Sequence, residues 1–291
     1  MKCSWRRTGR LLVDSSWQHP EIYDAVERAL GEDIGSGDIT TKLTVKEGRM
    51  ARGKFYARDE MVLAGIELLP LIYVCRGGVD KLELKVSSGH RCHDGEMIAE
   101  VEGLASTLLE CERTALNFMQ RLSGVATLAS RFAAEVAHTK CKVLDTRKTT
   151  PGLRRLEKLA AAAGGVTNHR MGLFDAVLIK NNHIAAAGGV RQALEASLPH
   201  GIPVEIEVRT RAELDEALAS GATSLLLDNL TPAEAREWID YIAGRASCEI
   251  SGGVTLNTVR AYAEAGADFV SSGAITHSAV SKDLNFRLEL L

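Results

Sequence analysis

Polar and charged side chains lie at or just after the ends of the first four of six short apolar segments in the second half of the chain. In chain order they are Thr146, Arg147 and Lys148, then Lys180, then Glu207, then Asp228. Another basic stretch, Asn168, His169 and Arg170, lies between the first two segments. Arginine forms paired hydrogen bonds with carboxylates and phosphates, so these cations predict a planar acid or a diphosphate as ligand. The two acids would suit a ribose hydroxyl, a divalent ion or a developing positive charge.

Small residues follow the last two apolar segments. They are Ser251, Gly252 and Gly253, before a helix predicted to begin at Thr255, and Ser272, Gly273 and Ala274, before Ile275. Small residues let backbone N–H groups close around an anion, and helix N-termini favour negative charge. Barrels often hold a phosphate at their final two strands, so the two turns predict a phosphate site. Together, the residues predict that a phosphorylated sugar meets an acidic partner.

The six apolar segments alternate with alanine-rich helical segments, which predicts a parallel sheet. The predicted strands cover residues 142–144, 176–179, 204–208, 224–227, 248–250 and 269–271. With right-handed crossovers, six such units favour an incomplete or closed α/β barrel, whose active site lies at the carboxyl ends of the strands. The chain lacks the GxGxxG and GxxxxGK[ST] motifs, which weakens the nucleotide-binding sheet alternatives.

The N-terminal half has mixed patterns that predict an α+β sandwich domain. A helix is predicted over 19–30, ending near Gly31, then a polar loop over 32–41, strands at 51–57, 82–86 and 97–101, and a helix over 66–75. A long helix from Leu104 to about Gly124, followed by a second helical run to Thr139, would link the domains. The predicted boundaries are 1–20 for a loose extension, 21–115 plus 280–291 for the sandwich, and 116–279 for the barrel.

Composition limits the function classes. The 291 residues are 45% hydrophobic and 25% charged, with a net charge of −3, which disfavours coating a nucleic acid. The six cysteines form no CxxC pair, which predicts reduced thiols and a cytoplasmic protein. We expect neither a membrane span nor a signal peptide. His90, Cys92 and His93 precede Asp94-Gly95, and this pattern indicates a turn more than a metal site.

Several longer motifs make the chain resemble the quinolinate phosphoribosyltransferase family from about Glu21 onward. They are ALGEDIGSGDIT at 29–40, ERTALNF at 112–118, QRLSG at 120–124, DTRKTTPG at 145–152, NHR at 168–170, LIK at 178–180, LDN at 227–229 and SGG at 251–253. The resemblance implies a sandwich domain with an incomplete barrel. It also implies that quinolinate reacts with 5-phosphoribosyl 1-pyrophosphate and Mg²⁺ to give nicotinate mononucleotide, pyrophosphate and CO2.

The resemblance also implies roles for individual residues. Quinolinate would be held by Thr146, Arg147, His169, Arg170, Lys180 and, from the neighbouring subunit of a homodimer or larger homo-oligomer, Arg113. Lys148 would contact the pyrophosphate and the substrate acid, and Glu207 and Asp228 would hold the ribose and its metal. With Lys180, these three residues form the expected catalytic set. The turns at 251–253 and 272–274 would bind the 5-phosphate, and no organic cofactor, nucleic acid or membrane is expected.

One departure from the family is visible, because Asn181 stands where many members have an acid after the lysine. Three other functions remain open. The chain could be a paralogue that uses another acid, such as the related protein linked to molybdenum transport. It could bind a phosphorylated ligand without turnover, or be a phosphate-binding lyase or isomerase barrel.

Overall fold

The computed structural model describes residues 15–291. Contacts divide this part of the chain into two compact units. The first contains the described residues up to Leu128, Thr150–Gly165 and Ala279–Leu291, and the second contains Ala129–Thr149 and Val166–Ser278. The domain boundaries expected from the sequence stay a prediction. The expectations for residues 1–14, a loose extension without a signal-peptide core, lie outside the described residues, whereas Ser15–Gln18 form a 3-10 helix that buries Trp17.

The elements up to the long helix are α1 (Pro20–Ile34), α2 (Ile39–Thr44), β1 (Met50–Ala57), β2 (Met61–Val62), α3 (Leu69–Val74), β3 (Lys81–Leu84), β4 (Arg91–Cys92), β5 (Met97–Leu104) and α4 (Ala105–Val136). The remaining elements are β6 (Lys142–Leu144), α5 (Arg154–Ala163), β7 (Val177–Ile179), α6 (Asn181–Ala187), α7 (Val190–Ser197), β8 (Val204–Val208), α8 (Arg211–Ala219), β9 (Ser224–Asp228), α9 (Pro232–Ile242), β10 (Ser247–Ser251), α10 (Val259–Glu264), β11 (Phe269–Ser271), α11 (Ala274–His277) and β12 (Leu284–Leu290).

The main sheet of the first unit has the order β12-β1-β5-β3 and is antiparallel. Residues of β1 alternate between buried and half-buried, as the period of two in its sequence predicts. The C-terminal strand β12 pairs with β1, and Phe286 lies opposite Phe55 with the ring centroids 4.7 Å apart. This cross-strand contact ties the end of the chain to the first unit.

Helix α1 continues past the predicted end at Gly31 to Ile34, so part of the predicted loop at 32–41 is helical. A glycine inside a helix costs only about 1 kcal/mol relative to alanine, which packing can offset. The chain leaves the helix at Gly35, whose φ is 53° and whose N–H bonds to the carbonyl of Gly31. Within the same predicted loop, the side chain of Asp38 caps α2 by accepting a hydrogen bond from the Thr41 N–H at 2.9 Å.

Helix α4 is continuous over 32 residues, so the prediction of two helical runs meeting near Gly124 is wrong. Gly124 serves a close approach and does not interrupt the helix. A Cβ there would lie 2.3 Å from the carbonyl oxygen of Val280, which belongs to the same unit. Glycine is therefore required at position 124, but the requirement comes from a chain segment more than 150 positions away in sequence.

The second unit contains a six-stranded parallel sheet with the order β6-β11-β10-β9-β8-β7. All six predicted strands are present, and the predicted α/β architecture is confirmed. In the described chain the terminal strands β6 and β7 do not pair with each other, so the barrel is incomplete. Its core consists of fully buried aliphatic side chains such as Ile206, Leu225, Ile250 and Val270. Among residues 15–291, no helix is long and apolar enough to cross a membrane.

Candidate active site

The carboxyl ends of the parallel strands bring the predicted site residues of the second unit to one edge of the sheet. Asp228 at the end of β9 pairs in register with Ser251 at the end of β10. The Asn229 N–H donates to the Ser251 carbonyl at 2.9 Å, and the Ser272 N–H donates to the Leu144 carbonyl at 3.2 Å. The loops after β6, β9, β10 and β11 therefore begin at neighbouring positions along this edge.

Glu207 is the buried carboxylate of this edge and is flanked by two cations. The Lys180 Nζ lies 3.7 Å from one carboxylate oxygen, and the Arg209 Nη2 lies 2.7 Å from the other. The same Arg209 nitrogen lies 3.6 Å from Asp228 Oδ2. Because a buried carboxylate is stable only when it is paired, the two cations offset the desolvation of Glu207. The guanidinium of Arg209 thus bridges the two predicted catalytic acids.

Arg209 was missed by the sequence interpretation, although a signal for it exists. Residues two apart in a strand face the same side, so the side chain of Arg209 continues the face of Glu207 beyond the end of β8. Its neighbour Thr210 caps α8 by accepting from the Glu213 N–H. Because Arg209 precedes this cap, the sequence pattern assigns it to the start of a helix and not to a binding site.

Asn229 connects Asp228 to the first glycine turn. It has the left-handed φ of 59°, and its side-chain amide donates to Asp228 Oδ2 at 2.7 Å. A Cβ at Gly252 would lie 2.3 Å from Asn229 Oδ1, so only glycine fits beneath this amide. Gly252 also has a φ of 91°, which side chains disfavour. The turn at 252–253 and the acid Asp228 are therefore packed as one assembly.

The expected helix after this turn begins later than predicted, because α10 starts at Val259 and not at Thr255. The Thr258 hydroxyl accepts from the Thr255 N–H at 3.0 Å, and residues 256–258 form a turn before the helix. Any anion at Gly252 and Gly253 would therefore meet turn amides and not a helix N-terminus. The second turn differs, since Gly273 is the N-cap of the four-residue α11.

Lys148 lies against the second glycine turn. A Cβ at Gly273 would lie 2.7 Å from the Lys148 Cδ, so glycine leaves room for the lysine stem. The Thr276 hydroxyl, from α11, donates to the Lys148 carbonyl at 2.8 Å. Lys148, which is predicted to contact the pyrophosphate, therefore lies next to the turn that is predicted to bind the 5-phosphate. The Lys148 side chain is exposed.

Asp145 organises the cationic flank. It is fully buried and accepts from the Asn168 side-chain amide at 2.6 Å and from the His169 N–H at 2.8 Å. Nearby, the Arg170 Nη1 donates to the Ala176 carbonyl at 3.0 Å.

Desolvation and the charge of Arg147 both lower the pKa of Arg170. The two guanidinium groups are therefore close enough to repel each other.

The Nε of Arg147 is buried and has no hydrogen-bond partner within the described residues. A buried donor without a partner destabilises the fold by about 1–3 kcal/mol, and more when it is charged. A carboxylate would satisfy this donor and also relieve the repulsion from Arg170. These features are the ones expected of a surface that binds an anion.

His169 lies between two carboxylates. Its Nε2 is 3.5 Å from a Glu205 oxygen and 3.4 Å from a Glu249 oxygen. Hydrogen bonds to Glu205 first and Glu249 second raise the pKa of His169 to about 9. Burial raises the pKa of Glu249, whose Oε1 has no partner in the described chain. These three side chains form a group that could hold a metal ion, and the other ring nitrogen of His169, Nδ1, accepts from the Arg170 N–H at 2.7 Å.

Glu249 was another residue missed by the sequence interpretation, which assigned it to an apolar strand between Cys248 and Ile250. A lone charge inside such a run is itself a signal, because buried charges need partners.

Arg113 belongs to the first unit, on α4, and its side chain is exposed. The cluster described above is built without it, and the shared-site role of Arg113 stays a prediction.

Family models match almost the entire described chain. The model "Quinolinate phosphoribosyl transferase, N-terminal domain" matches residues 38–123. The model "Quinolinate phosphoribosyl transferase, C-terminal domain" matches residues 125–287. Both halves of the chain, in this order, therefore resemble the two domains of one enzyme family.

Individual relatives agree with these family matches. The chain is 38% identical to the probable nicotinate-nucleotide pyrophosphorylase [carboxylating] of Bacillus subtilis, over 94% of this chain and 95% of that protein. It is also 38% identical to quinolinate phosphoribosyltransferase [decarboxylating] 1b of Nicotiana tabacum, over 93% and 84% of the two chains. The crystal structure of NadC from Streptococcus pyogenes superposes with a TM-score of 0.88 at 34% identity, covering 97% of this chain and 100% of that one.

Proposed function

This chain belongs to the decarboxylating quinolinate phosphoribosyltransferase family, whose members are pentosyltransferases, and from this premise we propose how its own residues perform the reaction. Quinolinate and 5-phosphoribosyl 1-pyrophosphate would bind at the strand ends of the second unit and give nicotinate mononucleotide, pyrophosphate and CO2. The observation that carries the proposal is the buried Nε of Arg147, which lies beside Arg170 and has no hydrogen-bond partner among residues 15–291. A dianionic aromatic acid would supply the negatively charged partner that these two arginines lack within the described chain.

The cationic flank would bind the two carboxylates of quinolinate. The proposed ligands are Thr146, Arg147, His169, Arg170 and Lys180, joined by Arg113 of a neighbouring subunit. Each charge-assisted hydrogen bond contributes about 1.5–3 kcal/mol. Nicotinate has one carboxylate fewer and would leave a buried cation unpaired. Selectivity for quinolinate would therefore come from the unpaired charges that the wrong substrate leaves behind.

The phosphoribosyl group would bind along the opposite flank. The amides of the turns at 251–253 and 272–274 would hold the 5-phosphate, and Lys148 would contact the pyrophosphate. Bond breaking at C1 of the ribose creates an oxocarbenium-like centre, which the carboxylates of Glu207 and Asp228 would stabilise electrostatically. The proximity of Lys148 to Gly273 and of Asn229 to Gly252 supports this arrangement.

Glu207 and Asp228 also have the donor chemistry for Mg²⁺. This ion prefers oxygen ligands and is usually held by one or two carboxylates together with substrate phosphates. Arg209 Nη2 lies between the two acids, 2.7 Å from Glu207 Oε1 and 3.6 Å from Asp228 Oδ2, so an ion held by both carboxylates would take the place of this guanidinium. A bound Mg²⁺ would neutralise charge on the departing pyrophosphate. We propose no organic cofactor.

Decarboxylation would follow transfer of the ribosyl group to the ring nitrogen. The nitrogen is then cationic and stabilises the electron pair that stays on C2 when the bond between C2 and its carboxylate breaks. C2 takes up a proton as CO2 leaves. The low-dielectric, cation-lined flank would hold the remaining carboxylate during this step.

The assembly and the location of the protein also belong to this proposal. A homodimer would let Arg113 reach a neighbouring site, and mixing Arg113→Ala with Lys180→Ala subunits should restore part of the activity. If mixing restores no activity, the prediction of a shared site is wrong.

The five cysteines in the described chain are free thiols, as expected of a cytoplasmic protein.

Release of CO2 from carboxyl-labelled quinolinate, with 5-phosphoribosyl 1-pyrophosphate and Mg²⁺, tests the proposal directly. We expect turnover with quinolinate and none with nicotinate. Turnover of nicotinate alone would contradict the substrate assignment. Binding of the sugar phosphate without turnover of either acid would favour a paralogue or a binding protein.

A further inference from the structure

A second cluster of ligand-type side chains lies in the first unit, in the turn that joins β4 to β5. His90, Cys92 and Glu96 each offer one donor atom, and these atoms all lie within 4.8 Å of one another. The His90 Nε2 is 2.8 Å from Glu96 Oε1. Cys92 is buried, with 2% of its surface exposed, whereas the other two residues are partly exposed. A buried thiol therefore lies close to an imidazole and a carboxylate that reach the surface.

The backbone of this turn is held in place on both sides. Cys92 pairs with Met61 across β2 and β4, and the Leu63 N–H donates to the His90 carbonyl at 2.9 Å. The second oxygen of Glu96 accepts from the His93 N–H at 3.1 Å. Ligands whose orientation is fixed by outer hydrogen bonds bind metals more tightly, because little freedom is lost on binding. These bonds fix the backbone of His90 and Cys92 and one oxygen of Glu96.

The donor set indicates which ions fit. Sulfur and imidazole ligands favour zinc-class transition metals over Mg²⁺ or Ca²⁺, which prefer oxygen. Bond lengths of about 2.0–2.3 Å place neighbouring ligands of a tetrahedral zinc ion about 3.3–3.6 Å apart. Side-chain movements of about 1 Å would bring the three donors to this spacing. We propose that His90, Cys92 and Glu96 form a binding site for one divalent zinc-class ion, with water as the fourth ligand.

Metal binding here requires a change of protonation at one atom. A cysteine binds zinc-class ions as the thiolate, so Cys92 must lose its proton when the metal binds. When the metal–sulfur bond forms, the thiol proton passes to solvent. Binding should thus release a proton in addition to any released by His90.

Cobalt(II) is a suitable probe because its bond to a thiolate gives a charge-transfer band in the near ultraviolet. Full-length protein, freed of metal and without substrates, is titrated with Co²⁺ and then with Zn²⁺. We expect one Co²⁺ per chain, the thiolate band, and displacement by Zn²⁺. Calorimetry in two buffers of different ionisation enthalpy should report proton release.

Variants separate this site from other surface contacts. Cys92→Ser should abolish the band, and His90→Gln or Glu96→Gln should weaken Co²⁺ binding at least tenfold. The matched controls are Cys75→Ser, another described cysteine, and His138→Gln, which breaks a histidine–glutamate pair of 2.9 Å that lacks a cysteine ligand. Both controls should leave the band unchanged.

Two results would overturn the proposal. One is no thiolate band at saturating Co²⁺ in a protein that remains folded. The other is a band that persists in Cys92→Ser and disappears in a different cysteine variant. Because the titration uses no substrate, its outcome does not depend on whether quinolinate is turned over.

Discussion

The first unit contains a buried charged cluster whose hydrogen bonds are complete, whereas the second unit contains two buried charged groups whose hydrogen bonds are incomplete. In the first, the fully buried Glu157 accepts from Arg121 at 2.7 and 3.0 Å and from the Thr150 amide and hydroxyl at 2.9 and 2.7 Å. In the second, Arg147 and Glu249 each leave a buried atom without a partner among the described residues. A cluster whose hydrogen bonds are complete stabilises the fold, whereas a buried group that lacks a partner can still bind a ligand.

Removing Glu157 should produce the largest effect on stability. Glu157→Ala leaves the Arg121 guanidinium without its carboxylate, so we expect a loss of about 3–5 kcal/mol in the free energy of unfolding. Chemical denaturation measures this loss. The control is Glu264→Gln, which removes an exposed ion pair and should change the value by less than about 1 kcal/mol. Equal losses in the two variants would refute the distinction between buried pairs with complete hydrogen bonds and exposed pairs.

Arg147→Met should show the opposite behaviour, with activity lost and stability kept. The methionine removes one or two charge-assisted bonds to quinolinate, so kcat/KM should fall on the order of 10²-fold, or about 3 kcal/mol. The free energy of unfolding should stay equal or rise, because an unpartnered buried donor disappears. Steady-state kinetics and denaturation on the same sample test both halves. A variant that is destabilised but fully active would assign Arg147 to the fold.

The His169 cluster predicts a pH dependence of stability. Its folded pKa of about 9 exceeds the ordinary 6.5, so its stabilising contribution is complete below pH 6.5 and is lost as the pH rises through 9. Glu205→Gln removes the larger of the two attractions and should bring this loss to lower pH, costing about 1 kcal/mol near pH 8. Unfolding curves from pH 6 to 10 and the chemical shifts of His169 report the change. Identical profiles in both proteins would contradict the cluster.

Asn229 should have the smallest effect of the four. Both Asn229→Gly and Asn229→Ala remove the amide bond to Asp228, but only alanine adds left-handed strain, costing about 1 kcal/mol more. Both variants should lower kcat/KM, because Asp228 loses a positioning contact. Ala243→Gly is the control, since Ala243 also has a positive φ of 50° away from this edge, and its activity should not change. Unaltered kcat/KM in both Asn229 variants would remove its positioning role.

The fold was predictable where the signal is local. The six barrel strands follow from short apolar segments between helices, and the structure places them where the sequence does. The ends of α1 and the continuity of α4 were not predictable, because Gly31 and Gly124 carry the same local signal as a helix stop. In α4, the contact with Val280 shows that the glycine serves packing. Helix limits thus depend on partners that periodicity does not reveal.

The candidate site was predictable in outline for the same reason. Alternation along a strand and the shared direction of parallel strands place Glu207, Asp228 and Gly252 at one edge. Arg209 and Glu249 were missed because one looks like part of a helix cap and the other lies in an apolar segment. Likewise, the sequence suggested His90, Cys92 and His93 as a turn, and only the structure shows that this turn brings Glu96 next to His90.

The linear order of residue types already contains the strand count, the parallel arrangement and the family of this chain, because backbone geometry and hydrophobic periodicity act over a few residues. Which charges find partners is a different matter. Arg121 and Glu157 satisfy each other across 36 positions, whereas Arg147 does not find such a partner in the described chain. Only the tertiary structure decides this, because hydrogen bonds between side chains depend on distances that folding, and not sequence separation, creates.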